Sequence, residues 1–353
     1  MIKNSSFTHI VLDWYEKNKR ELPWRETLDP YAIWLSEIIL QQTRIDQGRA
    51  YYLKFINRFP FIHDFAAASE DEILKMWQGL GYYSRARNMH HTAKMIVEKH
   101  GGAFPADYAG LLRLKGVGEY TAAAIASIAF GLPHATVDGN VYRLLSRVFE
   151  IHTPTDTGKG KKEFTHLANK LIDPSQPGNF NQAVMEFGAI QCKPKNPDCE
   201  SCPLNQHCAA RKNGTIDLLP IKKGKTKIRK RYFNYLVIEH EQYTYLNKRT
   251  ENDIWKNLYE FPMAETNEKS ELAVILKNYE MLFSPETEIQ IKKESHWQKQ
   301  VLTHQHIFYR FIYLKIDGKM KIPSPLIRVN KKDIFNFAVP KPIEKELEQH
   351  NWI

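Results

Sequence analysis

Three sets of residues in this sequence have the types and spacing that chemistry needs. The first is Glu37, which stands in an apolar stretch with Ile33, Trp34, Leu35, Ile38, Ile39 and Leu40 around it. Read as a helix from Tyr31 to about Gln42, this stretch would bury most of its circumference. A carboxyl group there loses its water, its pKa rises, and it becomes able to act as a general acid near neutral pH. The alternative is a glutamate that reaches past the apolar rim to water or an arginine. The second set lies between Leu114 and Arg143. Gly116-Val117-Gly118 form a glycine turn beside Lys115, a run of small residues follows from Thr121 to Ala129, and Asp138 sits between Val137 and Gly139. Glycines bare the backbone N–H groups, and a helix starting after them aims its N-terminus at an anion. This pattern suits a hairpin that grips a nucleic-acid phosphate and presents one carboxylate close to the strand. It equally suits a turn between packed helices with an N-cap aspartate. The third set is the four cysteines of the chain, Cys192, Cys199, Cys202 and Cys208, spaced C-x6-C-x2-C-x5-C. In a reducing compartment such a cluster reads as a metal site, and four thiolates suit either tetrahedral zinc or an iron–sulfur cluster.

The elements that must position these groups are helical as far as the cysteines. Phe7, Ile10, Val11 and Trp14 repeat at helical spacing, and Leu22-Pro23-Trp24-Arg25 breaks that helix. Asp29-Pro30 is an N-cap with proline at the first helical position. Further helical stretches run from Asp46 to Arg58, Glu70 to Trp77, up to about His100, from Lys161 to Leu171, and from Asn179 to Ile190. Between two of them, Gly79-Leu80-Gly81-Tyr82-Tyr83-Ser84-Arg85-Ala86-Arg87 combines glycines, tyrosines and arginines in a way that suits base stacking and phosphate contact. After about residue 231 the pattern changes to alternation, with strands predicted over Tyr232–Glu239, Tyr243–Arg249 and His306–Ile316.

Length and charge fit this division. The 353 residues suggest two domains, and the net charge of +10 suggests a polyanionic partner. From Arg211 to Arg231 there are nine Lys or Arg against one acid, Asp217, which marks a basic linker. The N-terminus lacks the apolar core of a signal peptide, and no apolar run approaches a membrane span, so an intracellular, cytoplasmic protein with no membrane partner is expected.

In order along the chain, the motifs LPWR at 22–25, WLSEIILQQT at 34–43, GLGYYSRARN at 79–88, LKGVGEYTAAAI at 114–125, VDGNVYR at 137–143 and FNQAVMEFGA at 180–189 lead to the four cysteines. Together they resemble the endonuclease III superfamily of base-excision DNA glycosylases, and within it the adenine DNA glycosylase (MutY) branch, over about residues 5 to 212. The resemblance implies a mainly α, two-lobed helix-hairpin-helix glycosylase domain with a [4Fe-4S] cluster on the four cysteines over 1–212. It further implies a basic linker over 213–230 and an α/β Nudix-like domain over 231–353 that recognises 8-oxoguanine. The implied substrate is double-stranded DNA with 8-oxoguanine:adenine or guanine:adenine mispairs, bound by a monomer. By the same resemblance Glu37 protonates adenine, Asp138 steadies the sugar cation, and Tyr120 holds the two carboxylates. Trp24, Arg25, Leu40 and Gln182 line the adenine pocket, Gln42 and Tyr82 wedge into the duplex, and Gly116 and Gly118 hold a phosphate.

Two departures matter. Bifunctional members carry a lysine nucleophile where this chain has Tyr120, and a phenol cannot form a Schiff base, so a monofunctional enzyme is expected. The lesion-reading turn, Phe-Ser-His in the family, is Leu302-Thr303-His304 here, with Thr303 and His304 in the reading positions. The segment WKNLYEFP at 255–262 resembles the one that precedes a Nudix box, but the glutamate-rich box is missing, which implies recognition without pyrophosphate hydrolysis. The competing readings are a bifunctional glycosylase/lyase and a zinc-stabilised DNA-binding protein without chemistry.

Overall fold

The computed structural model describes residues 3–224, 228–277, 288–317 and 325–349. Residues 225–227 of the expected linker, and 278–287, 318–324 and 350–353 of the expected second domain, lie outside the described residues. The chain divides into two compact units, Met1–Ala67 with Asn88–Gly224, and Ala68–Arg87 with Lys225–Ile353.

The first unit is helical and has two apolar centres. In one, Phe7 and Val11 of the helix Asn4–Asn18 meet Leu144, Leu145, Phe164, Phe180 and Phe187 from much later in the chain. The N-terminal helix thereby closes the lobe built by Gly139–Phe149, Gly158–Leu171 and Pro177–Glu186. The other centre is aromatic. Tyr31, Trp34, Phe55 and Phe59 surround Phe65 at ring distances of 5.4 to 6.5 Å. The helix carrying Glu37 is Pro30–Leu40, started by Asp29, whose carboxylate accepts from the N–H groups of Tyr31 and Ala32. It stops at Leu40, earlier than the apolar pattern suggests, because Gln42 adopts φ +57°.

Two other helices differ from expectation. The helix after the hairpin starts at Glu119, with Gly118 as its N-cap, and ends at Phe130. The stretch expected as one helix from Asn179 to Ile190 is Pro177–Glu186 followed by a wide turn over Phe187–Gln191. There the Cys192 N–H reaches the Phe187 carbonyl at 2.8 Å, and the widening brings Gly188 against Asn140 so closely that a Cβ would sit 2.7 Å from it.

The second unit contains the strands. β1 (Arg229–Glu239), β4 (Met263–Thr266), β5 (Glu288–Glu294), β6 (Gln298–Val301) and β7 (Gln305–Asp317) form a sheet ordered β4-β1-β7-β5, with β6 also on β7. β2 (Tyr243–Lys248), β3 (Tyr259–Glu260) and β8 (Leu326–Asn330) form a second, ordered β3-β2-β8. β1 runs parallel to β7 from Arg229↔Gln305 to Glu239↔Lys315. The three strands predicted from alternation are β1, β2 and β7; the others are short or exposed and carry little pattern. The segment 68–87 belongs to this unit through polar ties. Lys248 and Tyr259 both bind Asp71, Gln78 binds Glu344, and Arg87 donates to the Lys256 carbonyl.

Candidate active site

Eight of the predicted residues line one cavity of about 480 Å³ in the first unit: Trp24, Arg25, Glu37, Leu40, Gln42, Tyr120, Asp138 and Gln182. Glu37 is 8% exposed. Burial raises its carboxyl to about 7, the nearby Tyr120 hydroxyl and Arg25 pull it down, and the charge of Asp138 pushes it up. The alternative of a glutamate escaping to water is therefore not what the helix does. Tyr120 donates its hydroxyl to Met185 Sδ at 3.1 Å, and burial with the two carboxylates nearby lifts its pKa well above the ordinary phenol.

Asp138 is the N-cap that its sequence context allowed, and it lines the cavity as well. Its Oδ1 caps the helix Gly139–Phe149 by accepting from the N–H groups of Asn140 (2.9 Å) and Val141 (2.8 Å), and its carboxylate faces the cavity. Burial raises its carboxyl, and the cap bonds, the Asn140 side chain and Arg143 counter that rise. Asn140 Nδ2 donates to Asp138 Oδ2 at 2.8 Å, and Arg143 donates to Asn140 Oδ1 at 2.8 Å and to the Cys192 carbonyl at 2.7 Å.

Beside the cavity, Glu186 is buried between two arginines. Arg20 donates to it through Nε and Nη2, both at 2.7 Å, and Arg25 through Nη2 at 2.9 Å and Nη1 at 3.3 Å. Burial alone would raise this carboxyl, but the arginines outweigh it and hold it at about 2. Tyr15, buried in the first helix, donates to Gln182 Oε1 at 2.7 Å, and the Arg25 guanidinium lies 5.5 Å from the centre of its ring. Sequence reasoning missed Tyr15, Arg20, Asn140, Arg143, Met185 and Glu186. The available signal was spacing: Met185 and Glu186 follow Gln182 by three and four residues on one helix, and Asn140 follows Asp138 by two.

The remaining predicted residues stand elsewhere. Gly116 and Gly118 form the exposed hairpin at the start of the helix Glu119–Phe130 and do not line the cavity. Gly116 has φ +83°, with Asn88 behind it, whereas Gly118 has φ −92° and open space where a Cβ would go. Tyr82, Thr303 and His304 line a separate cavity of about 500 Å³ within the second unit. The Tyr82 and Thr303 hydroxyls share a hydrogen bond. Both proposed wedge residues, Gln42 and Tyr82, are held at positive φ, +57° and +47°, which is strained for residues with a side chain.

The four cysteines line a third cavity. Burial raises the thiols of Cys199, Cys202 and Cys208, that of Cys202 to about 12, and their mutual charge raises each further. A cationic centre among them would stabilise such a set as thiolates. Among the described residues no three His, Cys, Asp or Glu side chains close around a single-ion position. Arg147 donates to Cys192 Sγ at 3.5 Å and to the Lys193 carbonyl at 2.7 Å, so fixed positive charge also faces the sulfurs. Among the described residues no helix is long and apolar enough to cross a membrane.

Comparison with known proteins supplies the family. Residues 35–174 match the HhH-GPD superfamily of base excision DNA repair proteins, 192–208 the iron-sulfur binding domain of endonuclease III, and 234–349 the NUDIX domain. Among solved structures, a thermostable thymine-DNA glycosylase superposes with a TM-score of 0.56 at 31% identity, covering 60% of this chain and 97% of that one. A trapped endonuclease III–DNA covalent intermediate superposes at 0.53 and 24% identity, covering 61% and 99%, a likeness of fold. Fold and site thus define a helix-hairpin-helix base-excision glycosylase with a [4Fe-4S] cluster and a Nudix-like second domain, a hydrolase of N-glycosyl bonds. The adenine DNA glycosylase of Buchnera aphidicola (subspecies Schizaphis graminum) is 34% identical over 348 residues, 97% of this chain and 98% of the relative. The human adenine DNA glycosylase is 43% identical over 216 residues, 59% of this chain and 40% of that protein. The chain belongs to the adenine DNA glycosylase family.

Proposed function

We propose that this chain removes adenine opposite 8-oxoguanine, or opposite guanine, from double-stranded DNA by hydrolysing its N-glycosidic bond. The observation that carries the reading is Glu37, a carboxyl raised to about 7 on the wall of a base-sized cavity that it shares with Asp138. The adenine leaves the helix and enters between Trp24 and Leu40, with Arg25 and Gln182 on its polar edge. Glu37 gives its proton to adenine N7. The C1′–N9 bond then breaks with its electron pair on the base, leaving an oxocarbenium-like sugar. Asp138 steadies that cation, as one carboxylate of a glycosidase pair does. Glu37, now ionised, takes a proton from the water that adds to C1′, which restores the acid. Tyr120 keeps the two carboxyl groups in place and offers no amine, so the strand stays intact.

Gly116 and Gly118 hold a phosphate through backbone N–H groups and a bridging ion, and Gln42 and Tyr82 keep the duplex open. Thr303 and His304 read 8-oxoguanine in a Nudix-like domain that hydrolyses no pyrophosphate. The cluster, on Cys192, Cys199, Cys202 and Cys208, holds the loop that carries Lys193, Lys195 and Arg211 toward the DNA. Residues 1–212 act as the catalytic domain, 213–230 as a basic linker and 231–353 as the lesion reader, in a monomer working in the cytoplasm.

The test is adenine release from duplexes with adenine opposite 8-oxoguanine, guanine, cytosine and thymine, using the full chain and Glu37→Gln. Release confined to the first two, and lost in the variant with duplex binding retained, supports the reading. Equal release from all four, or full activity of the variant, contradicts it. Borohydride should trap no covalent adduct.

A further inference from the structure

The pair of arginines at the edge of the Glu37 cavity poses an electrostatic problem. The charge of Arg25 opposes the rise that burial gives the Glu37 carboxyl, and Arg20 stands next to Arg25, its own backbone carbonyl accepting from Arg25 Nη1 at 3.0 Å. Two cations there would favour an ionised Glu37, the wrong form for a general acid. Glu186 answers both. Its side chain is 1% exposed, and five donors converge on its two oxygens: four from the guanidinium groups and the Arg20 backbone N–H at 3.1 Å.

We infer that Glu186 is a positioning residue for the excision reaction: its carboxylate fixes Arg25 at the base pocket and cancels the arginine charge that would otherwise ionise Glu37. The inference rests on the proposed role of Glu37. Three elements bring titratable or charged groups against Glu37. Tyr120 comes from the helix Glu119–Phe130, Asp138 from the start of Gly139–Phe149, and Arg25 from the turn Pro23–Arg25. Tyr120 carries no charge at neutral pH, because its hydroxyl is pushed far above the ordinary range by burial. Arg25 is the cation among these, Arg20 and Arg44 also line the cavity, and the charge of Arg25 is set against Glu186 through two hydrogen bonds. The geometry also limits where Arg25 can go. Glu186 holds one side of the guanidinium, the Arg20 carbonyl takes an Nη1 proton, and the Tyr15 ring lies alongside. The same Tyr15 hydroxyl binds Gln182, so one buried cluster sets both polar groups that the adenine would meet.

The experiment is the pH dependence of single-turnover adenine release at saturating 8-oxoguanine:adenine duplex, for the full chain and three variants. The unsubstituted protein should lose activity on the alkaline side as Glu37 ionises. Glu186→Gln removes one negative charge, and its alkaline limb should move measurably to lower pH. Glu186→Asp keeps the charge and should leave the limb in place even if the rate falls. Arg20→Met removes a positive charge and should move the limb to higher pH. A purely structural role for Glu186 would lower the rate by the same factor at every pH with the limb unmoved, and that result overturns the inference. If Glu186→Gln fails to fold, as judged by loss of the broad absorption near 400 nm and of duplex binding, Arg20→Met decides the question: a limb that stays put overturns it. Failure of the underlying reading looks different, because the unsubstituted protein would then show no alkaline limb, or Glu37→Gln would remain active.

Discussion

Two buried glutamates, one in each unit, have carboxyls raised to about 7, and they illustrate different things. Glu37 is raised by burial in the helix Pro30–Leu40 and opens onto the cavity that holds Asp138, Tyr120 and Gln182. Glu260 is raised by burial in β3, is 2% exposed, and accepts from Arg249 Nη1 with both oxygens at 2.9 Å. Asp253 joins Arg249 to Arg231, which also binds Glu265, so Glu260 sits at the end of a closed ionic network. The shift is the same, but only one of the two carboxyls has room for a substrate beside it. A raised pKa marks a candidate acid when it coincides with an accessible cavity; in a sealed core it is the consequence of burial that the ion-pair partner does not fully offset.

Substitutions that remove each carboxyl sharpen that contrast. Glu37→Gln should reduce single-turnover adenine release by about 10³-fold or more while leaving duplex affinity within a few fold, since it deletes the general acid and nothing that holds DNA. Asp138→Asn should lower the rate by roughly 10²- to 10³-fold, because the amide can still cap its helix but cannot balance a sugar cation. Glu260→Gln should leave the rate on saturating duplex unchanged and lower the unfolding midpoint. It should also flatten the pH dependence of stability. The folded pKa of Glu260 lies above its ordinary 4.5, so its contribution is full below about 4.5 and is lost as pH rises through about 7. A large activity loss in Glu260→Gln would break the comparison.

The smaller effects concern binding. Gly118→Ala fits the free protein, with open space at its Cβ and an ordinary φ. It should therefore weaken affinity for matched and mispaired duplexes alike, by roughly five- to tenfold if a phosphate approaches that backbone. Thr303→Ala should cost only the preference for 8-oxoguanine over guanine, by a few fold, measured as the ratio of excision rates; a uniform loss of binding would place Thr303 among the phosphate contacts instead.

Much of the first unit was legible because its signals are local. The Asp29-Pro30 cap, the apolar rows of Pro30–Leu40 and the cysteine spacing each depend on residues close in sequence. The gathering of Trp24, Glu37, Tyr120, Asp138 and Gln182 around one cavity came from the family resemblance, since nothing in their spacing brings them together. Glu186 and Arg20 escaped because a buried ion pair 166 residues apart leaves no periodic trace. Likewise the short strands β3 and β4 and the exposed β5 lack the alternation that revealed β1 and β7. The positive φ of Gln42 and Tyr82 was hidden for another reason: both are side-chain-bearing residues at positions where a sequence reader would look for glycine.

The central claim is that Glu37 carries its proton near neutral pH beside the base cavity. The direct measurement is the carboxyl titration of glutamate side chains by ¹³C NMR on protein labelled at glutamate Cδ, compared with Glu37→Gln and Glu260→Gln. The account predicts a resonance titrating near pH 7 that disappears in Glu37→Gln together with adenine release, and a second that disappears in Glu260→Gln while release persists. A Glu37 resonance titrating at the ordinary glutamate value would contradict it.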